Sequence, residues 1–354
     1  MLLAELAAVA AESGIDLSVG YLYGRRGAPL ADRLRAAGAR PVNAGAHRMA
    51  SVGALIGVRR QIAATRPDVV HTHLLHADIL GGLAARSLGV PWVSTAHAAT
   101  WDGTTRERVR AGLAFALRRR YARRVIAVSN NARDAYLAHS GIDPERVVVL
   151  PNGISTSPSP GAGRRIRAEL GLDPASRVVL ISGPLRREKG HARALMALGQ
   201  LRDQEPALRV LLLGDGPDTD EVLERARALD GTVSVLGYRD DVMAVLDAAD
   251  AMLHTPETDA LPNGLIEAAA AGVPVVATAT GGIPEIVEAG KTGVLVPADA
   301  GPDEISQALA SLLADVEARR SLGAEARQRF QRRFSPDRWA AGLRAIYEAV
   351  LNER

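Results

Sequence analysis

Short apolar runs alternate with longer segments of helical periodicity along the chain, a pattern typical of an α/β fold with parallel sheets. In the first half, the runs that predict strands are LSVGYLY, PDVVHTH, PWVSTAH, RRVIAVS and RVVVLP. In the second half, they are RVVLISG, LRVLLLGDG, VSVLG, AMLHT, PVVATA and TGVLVP. Ligands of such sheets bind beyond the carboxyl ends of the strands, so the residues that follow each strand are the first candidates for function.

The breaks in this pattern predict two Rossmann-like domains, 1–154 and 155–335. The boundary is a linker rich in Ser, Pro and Gly at 155–163. A cap signal at Ser335 predicts a last amphipathic helix over 336–354. The first ten residues lack a basic start and carry Glu5, which favours an amphipathic helix over a signal peptide.

The segment from Thr255 to Pro284 predicts a loop, a helix, a buried strand and a glycine turn in that order. Asp259 lies in the loop among prolines, and Glu267 lies eight positions later in a helix-forming run that ends at Gly272. A loop that leads into a helix can hold a phosphate with its backbone amides and a sugar with its carboxylates.

This segment resembles the donor-binding motif of retaining glycosyltransferases of family 4. The resemblance covers nearly the whole chain and implies the GT-B fold, in which two Rossmann-like domains face each other across a cleft. In that fold the last helix crosses back to the first domain. The first Glu and the Gly of the family motif are replaced here by Asp259 and Ala260. The positions that fit the motif are Leu261, Pro262, Asn263, Glu267, Ala268, Gly272, Pro274, Gly281 and Gly282.

The family also begins with a strand and a Gly-Gly loop, whereas this chain starts within what resembles the helix that follows them. An absent central strand would leave unpaired sheet edges, so we expect either reduced stability or a compensating arrangement.

The resemblance implies that the catalytic residues are His97, Asp259 and Lys189. Lys189 would hold the leaving diphosphate, and His97 and Asp259 would contact the donor sugar. The family's arginine is replaced by Pro184, so Arg186 or Arg187 would have to substitute for it. The alternatives from the residues alone are a solvated basic turn for Lys189 and a turn-forming aspartate for Asp259.

The resemblance also implies a donor-binding set. Glu267 would accept hydrogen bonds from the ribose, unless it is an ordinary solvent-facing helix residue. The loop that contains Tyr238 would read the base through its backbone, which leaves uracil and guanine equally open. The full donor-binding set is Arg186, Lys189, Gly214, Tyr238, Asn263, Gly264, Leu265 and Glu267.

The segment HTHLLH contains three histidines, His71, His73 and His76, which are candidate metal ligands. No acidic cluster accompanies them and His76 is poorly placed, so cleft lining or packing is the favoured interpretation. We therefore expect no metal and no cofactor, with the nucleotide-sugar donor as a co-substrate.

Charge is distributed unevenly along the chain. Residues 1–150 hold 20 Arg and 11 acidic residues, a net charge of +9, and the remainder carries −6. Much of the excess lies at 105–124, where Leu113, Phe115 and Leu117 stand among arginines. This segment predicts either a helix that lies on an anionic membrane surface or a solvated helix face. The chain has no cysteine and no apolar run long enough to span a membrane, so we expect a cytoplasmic protein, with peripheral membrane association as a hypothesis.

Together these features predict a metal-independent glycosyltransferase that moves a sugar from a nucleoside diphosphate sugar to a glycan or a lipid-linked hydroxyl acceptor. The alternatives are a catalytically weakened GT-B-like binding protein and another GT-B enzyme, such as a sugar-nucleotide epimerase. Nucleic-acid binding is disfavoured because only 3% of residues are aromatic and no recognition motif appears.

Overall fold

The computed structural model describes residues 2–22, 28–44, 51–97, 104–154, 161–229 and 231–353. The chain divides into two compact units, the first formed by Met1–Ser155 with Phe334–Arg354 and the second by Thr156–Arg333. Residues 155–160 of the predicted linker lie outside the described ranges.

Helices and strands alternate in the first unit, as the apolar pattern predicts. In chain order its elements are α1 Leu2–Ala10, β1 Ser18–Tyr21, α2 Ala28–Ala36, β2 Arg40–Asn43, α3 Val52–Thr65, β3 Val70–His73, α4 Leu75–Leu88, β4 Trp92–Ala96, α5 Thr105–Tyr121, β5 Arg124–Ala127, α6 Asn130–Ser140, a 3₁₀ turn at Pro144–Arg146 and β6 Val147–Val149.

The described strands of the first unit form two parallel sheets. One pairs β1 with β2, and the other has the order β3-β4-β5-β6. The sequence prediction of β1 and β3 to β6 is confirmed, but β2 was missed. Its residues, RPVN, contain a proline and are exposed or half-buried, so they lack the apolar signal of a buried strand.

The second unit contains one six-stranded parallel sheet with the order β12-β11-β10-β7-β8-β9, and all its strands were predicted. Most of its strand residues are buried because helices cover the sheet. Its elements are α7 Ala162–Glu169, β7 Arg177–Ser182, a 3₁₀ turn at Arg187–Lys189, α8 His191–Arg202, β8 Leu208–Leu213, α9 Thr219–Arg227, β9 Val233–Gly237, α10 Val242–Ala248, β10 Ala251–His254, α11 Asn263–Ala271, β11 Val275–Thr278, α12 Ile283–Ile286, β12 Val294–Val296, α13 Pro302–Ala314 and α14 Val316–Arg333.

The last helix, α15 Pro336–Asn352, packs in the first unit against α1. Its predicted cap is confirmed, since the Ser335 side chain accepts a hydrogen bond from the Arg338 amide. Trp339 and Leu343 are buried together with Leu6 of α1. A Cβ at Gly153 would lie 2.6 Å from the Trp339 side chain, so this glycine allows the helix to approach the chain that follows β6.

A buried ion pair holds the middle of the first unit together. The Asp78 and Arg118 side chains are 0% and 1% exposed, and Arg118 Nη2 donates to Asp78 Oδ2 at 2.5 Å. The hydroxyls of Thr72 and Ser94 donate to Asp78 Oδ1 at 2.5 and 2.6 Å. The helix predicted at 105–124 is therefore not a purely solvated or membrane-facing arginine surface, because Arg118 points into the core.

Candidate functional site

The candidate site of the second unit forms where the loops after β7 and β10 meet. Gly190, between the 3₁₀ turn and α8, has φ 68°, and a Cβ there would lie 1.8 Å from the Thr255 carbonyl oxygen. The Thr255 hydroxyl donates to the Gly190 carbonyl at 3.0 Å. Only glycine permits this approach, which brings the end of the 3₁₀ turn against the loop that contains Asp259.

Lys189 and Asp259 form an ion pair at this junction. Lys189 Nζ donates to Asp259 Oδ2 at 2.5 Å, with side chains 20% and 10% exposed. His254, at the end of β10, places Nε2 3.6 Å from the same oxygen. That nitrogen is buried and has no hydrogen-bond partner among the described residues.

The electrostatics of Asp259 favour a permanent carboxylate. Burial alone would raise its pKa, but His254 and Lys189 outweigh burial and hold the pKa below its ordinary value. The Asp259 backbone is also held, since the Gly282 amide donates to its carbonyl at 2.8 Å. Asp259 thus lies in the loop between β10 and α11, and its side chain belongs to a charged cluster with Lys189 and His254.

Helix α11 begins beside this loop without a side-chain cap, because its N-cap residue is Pro262. The Leu265 amide donates to the Pro262 carbonyl at 3.1 Å, and the Leu265 side chain is buried. The Leu265 amide, one of the predicted phosphate-binding amides, is therefore already hydrogen-bonded. The Gly264 amide, another of them, lies in the first turn of α11, where amides have no acceptor within the helix. Glu267 is half-buried one turn further along.

The two arginines considered as substitutes for the family's arginine line a neighbouring cavity of about 430 Å³. Neither Lys189 nor Asp259 lines that cavity. Arg186 is 58% exposed and lies 3.9 Å from the Glu188 carboxylate. Pro184 contributes through its carbonyl, which accepts from His191 Nε2 at 2.9 Å. Burial lowers the pKa of His191, so this buried ring is neutral and fixes the loop.

Gly214 and Tyr238, both predicted to bind the donor, follow β8 and β9. Gly214 has φ 150° and its Cβ would lie 2.0 Å from the Gly183 carbonyl oxygen, so its backbone position is required by packing between two strand ends. The Tyr238 side chain is 63% exposed, and its hydroxyl donates to Asp240 at 2.9 Å.

In the first unit, three histidines meet at the carboxyl ends of β3 and β4. His73 Nδ1 lies 2.9 Å from His97 Nε2, and the His71 and His73 rings are 4.4 Å apart. His71 contacts hydroxyls through both nitrogens, Tyr347 at 2.7 Å and Thr95 at 2.8 Å. His71 therefore has no lone pair left for a metal unless a hydrogen bond breaks.

These histidines are neutral near pH 7. Burial, and then the proximity of His97, lowers the pKa of His71 to about 3. Burial, and then Arg118, lowers the pKa of His97 to about 4. His73 shifts in the same direction, mainly through burial. No group of three or more metal-ligating side chains is found in the ranges that the structure describes.

Sequence reasoning missed His254, Tyr347 and the pair of Asp78 with Arg118. His254 carried a usable signal, because it ends a buried strand and such positions face ligands in parallel sheets. Tyr347 lies 276 positions from His71, so no local pattern could join them. In the described parts of the chain, no helix is both long enough and apolar enough to cross a membrane.

The two halves of the chain match two family models. Residues 1–158 match the model described as Glycosyltransferase Family 4, and residues 163–329 match Glycosyl transferases group 1. Among curated proteins, the alpha-maltose-1-phosphate synthase of Mycolicibacterium smegmatis is 31% identical over 80% of this chain and 79% of its own. The D-inositol 3-phosphate glycosyltransferase of Rhodococcus jostii is 33% identical over 84% and 70%.

Solved structures show the same fold. HepE from Anabaena, in complex with UDP and glucose, superposes with a TM-score of 0.84 at 22% identity, covering 98% of this chain and 95% of its own. Sucrose-phosphate synthase from Thermosynechococcus elongatus gives a TM-score of 0.80 at 21% identity, covering 99% and 92%.

Proposed function

This chain belongs to glycosyltransferase family 4, and we propose that it is a retaining enzyme that moves a sugar from a UDP-sugar to a hydroxyl acceptor. The observation that carries this proposal is the pairing of Lys189 with Asp259 beside the start of α11. A UDP complex of a protein with the same fold favours UDP over GDP. Of the alternatives, a weakened binding protein or an epimerase, none has an observation in its favour.

The donor diphosphate is bound by Lys189 and the first turn of α11 in this proposal. An ammonium group has three donors, so Lys189 can keep its bond to Asp259 and still bind phosphate oxygens. Negative charge grows on the leaving diphosphate as the glycosidic bond breaks, and a preorganised cation stabilises that charge. Asp259 keeps the ammonium in place and accepts a hydrogen bond from a donor-sugar hydroxyl. Glu267 accepts from the ribose hydroxyls.

Proton transfer uses the donor itself. The departing phosphate oxygen takes the proton of the acceptor hydroxyl as the new bond forms on the face that the diphosphate leaves. His97 contacts the reacting sugar. Its Nε2 is occupied by His73, so Nδ1 is the nitrogen that makes this contact.

Calorimetric titration with UDP and GDP tests the donor site. We expect UDP to bind, and Lys189→Ala to weaken binding about 10- to 100-fold, as the loss of one charge-assisted hydrogen bond implies. Glu267→Ala should weaken it as well. Lys291→Ala is the matched control, because the only other lysine is exposed and pairs with Glu288 at 3.2 Å. Equal affinity in Lys189→Ala and the wild type would refute this assignment.

We further propose that the acceptor is a glycan or a lipid-linked glycan and that α5 contacts an anionic membrane surface. Val109 and Leu113 of α5 are 67% and 47% exposed, and Arg108 beside them is exposed too. Such a face combines apolar contact with attraction to anionic lipid. Vesicle flotation should recover the protein with anionic lipid and much less of it after Val109→Ser with Leu113→Ser. Equal recovery with neutral vesicles would contradict the proposal.

A further inference from the structure

A second concave site lies in the first unit, at the ends of the strands opposite to His73 and His97. It is a cavity of about 750 Å³ at the amino ends of β4, β5 and β6. Five arginines line it together with one carboxylate, that of Glu353, and we call it the arginine pocket; the arginines are Arg86, Arg120, Arg123, Arg124 and Arg146.

Two of these arginines have structural partners. Arg124 Nη1 donates to Glu353 at 3.1 Å, and a second bond joins the same two groups. Arg146 donates to the Arg119 carbonyl at 2.9 Å and also to the Ala122 carbonyl. Arg146 thus satisfies carbonyl groups at the carboxyl end of α5, as basic residues often do.

The other three arginines carry charge that nothing in the described chain neutralises. Arg86, Arg120 and Arg123 are exposed, and no described carboxylate pairs with them. Arg86 and Arg120 lie over the Tyr121 ring, 5.6 and 5.3 Å from its centroid. These contacts orient the two guanidinium groups but leave their charge in place.

The helix ends nearby do not cancel this charge. Helices α4 and α5 end at the pocket, and each end contributes at most about half a negative charge. Five arginines against Glu353 leave four positive charges, so the pocket stays strongly positive. The concentration of positive charge affects Arg146. Burial has the largest effect and lowers the pKa of Arg146. Asp143 opposes this by raising the pKa, and Arg124 and Arg123 lower it further.

We propose that the arginine pocket binds an anion that carries two or more phosphate groups. Guanidinium groups match phosphate oxygens with paired hydrogen bonds, and the cavity volume lies within the range of small-molecule sites. The ligand is either a free polyphosphate or the phosphorylated headgroup of a lipid. The site lies on different residues from the donor-binding set, so this proposal stands independently of the proposed function.

Calorimetry with sodium tripolyphosphate tests the proposal, in a Lys189→Ala background that weakens anion binding at the donor site. We expect one bound anion, with at least about tenfold weaker binding after Arg120→Gln with Arg123→Gln. The matched control is Arg60→Gln with Arg338→Gln, which removes the same charge from two exposed arginines of the first unit that line neither the pocket nor the exposed face of α5. It should bind as tightly as the background, and circular dichroism should show all variants folded.

Flotation with cardiolipin vesicles, whose lipid carries two phosphate groups, separates the two sources. Loss of tripolyphosphate binding in the pocket variant, with flotation unchanged, identifies a free anion. Loss of flotation in the pocket variant alone identifies a lipid headgroup. The proposal is overturned if both double variants lose binding equally, since binding then follows net charge, or if neither variant changes binding in either assay.

Discussion

The buried pair of Asp78 and Arg118 allows a sharp prediction about the stability of the first unit. Asp78→Asn keeps the shape of the side chain but removes its charge, and it leaves the Arg118 guanidinium buried without a counterion. Arg118 Nη1 is already buried with no hydrogen-bond partner among the described residues, so no spare contact can compensate.

The expected loss is about 3–5 kcal/mol of unfolding free energy, the usual cost of removing one partner of a buried ion pair. A direct estimate agrees: two unit charges about 4 Å apart attract by about 4 kcal/mol at an effective dielectric constant of about 20. Arg118→Met should cost a similar amount. Combining the two substitutions should cost about 2 kcal/mol less than the sum, because no unpaired charge remains.

Urea unfolding followed by tryptophan fluorescence measures this loss in the right place. Trp92 and Trp339 belong to the first unit, and Trp101, the remaining tryptophan, lies outside the described residues but within the sequence range of that unit, so the signal does not mix the two units. The matched control is Asp134→Asn, whose side chain is 75% exposed, and it should change stability by less than about 0.5 kcal/mol. A loss below about 1 kcal/mol in Asp78→Asn, or strict additivity in the double variant, would refute the reasoning.

Two further predictions concern pH and backbone fit. Because the pKa of His71 is about 3 when folded and 6.5 when unfolded, the unfolded chain binds the proton first, and the first unit should lose about 1–2 kcal/mol per such histidine between pH 6.5 and 5. His71→Gln should flatten that slope in the fluorescence assay, and an unchanged slope would contradict it. Gly190→Ala should destabilise the second unit well beyond the roughly 1–2 kcal/mol expected of Gly171→Ala, since both glycines have positive φ but only Gly190 faces a carbonyl at 1.8 Å. Far-UV circular dichroism melts compare the two, and equal losses would count against the contact.

Most strands could be predicted from apolar runs in the sequence, without any tertiary information. Six of the twelve strands, β4, β5, β7, β8, β10 and β11, are buried at most of their positions, so their apolar runs are visible in the local sequence. The loop, helix, strand and glycine turn from Thr255 to Pro284 were predicted in order for the same reason. Strand β2 was not predicted because its half-exposed residues, RPVN, have no apolar signal. The division of the first unit into two sheets was not predictable either, because it depends on pairing partners far apart in the chain.

The sequence predicted which residues belong to the candidate site, but not which of them contact each other. Lys189 stood out because only two of the 43 basic residues are lysine, and Asp259 and Glu267 stood out by their spacing. Their arrangement depends on tertiary structure: Lys189 and Asp259 are 70 positions apart and meet because Gly190 lets two loops touch. Asp78 and Arg118 are likewise distant in the sequence and meet only in the folded chain. The arginines of the arginine pocket also come together only there, because parallel strands place their amino ends side by side. Local sequence determines which segments bury apolar surface, whereas charges find their partners only when distant strand ends are brought side by side.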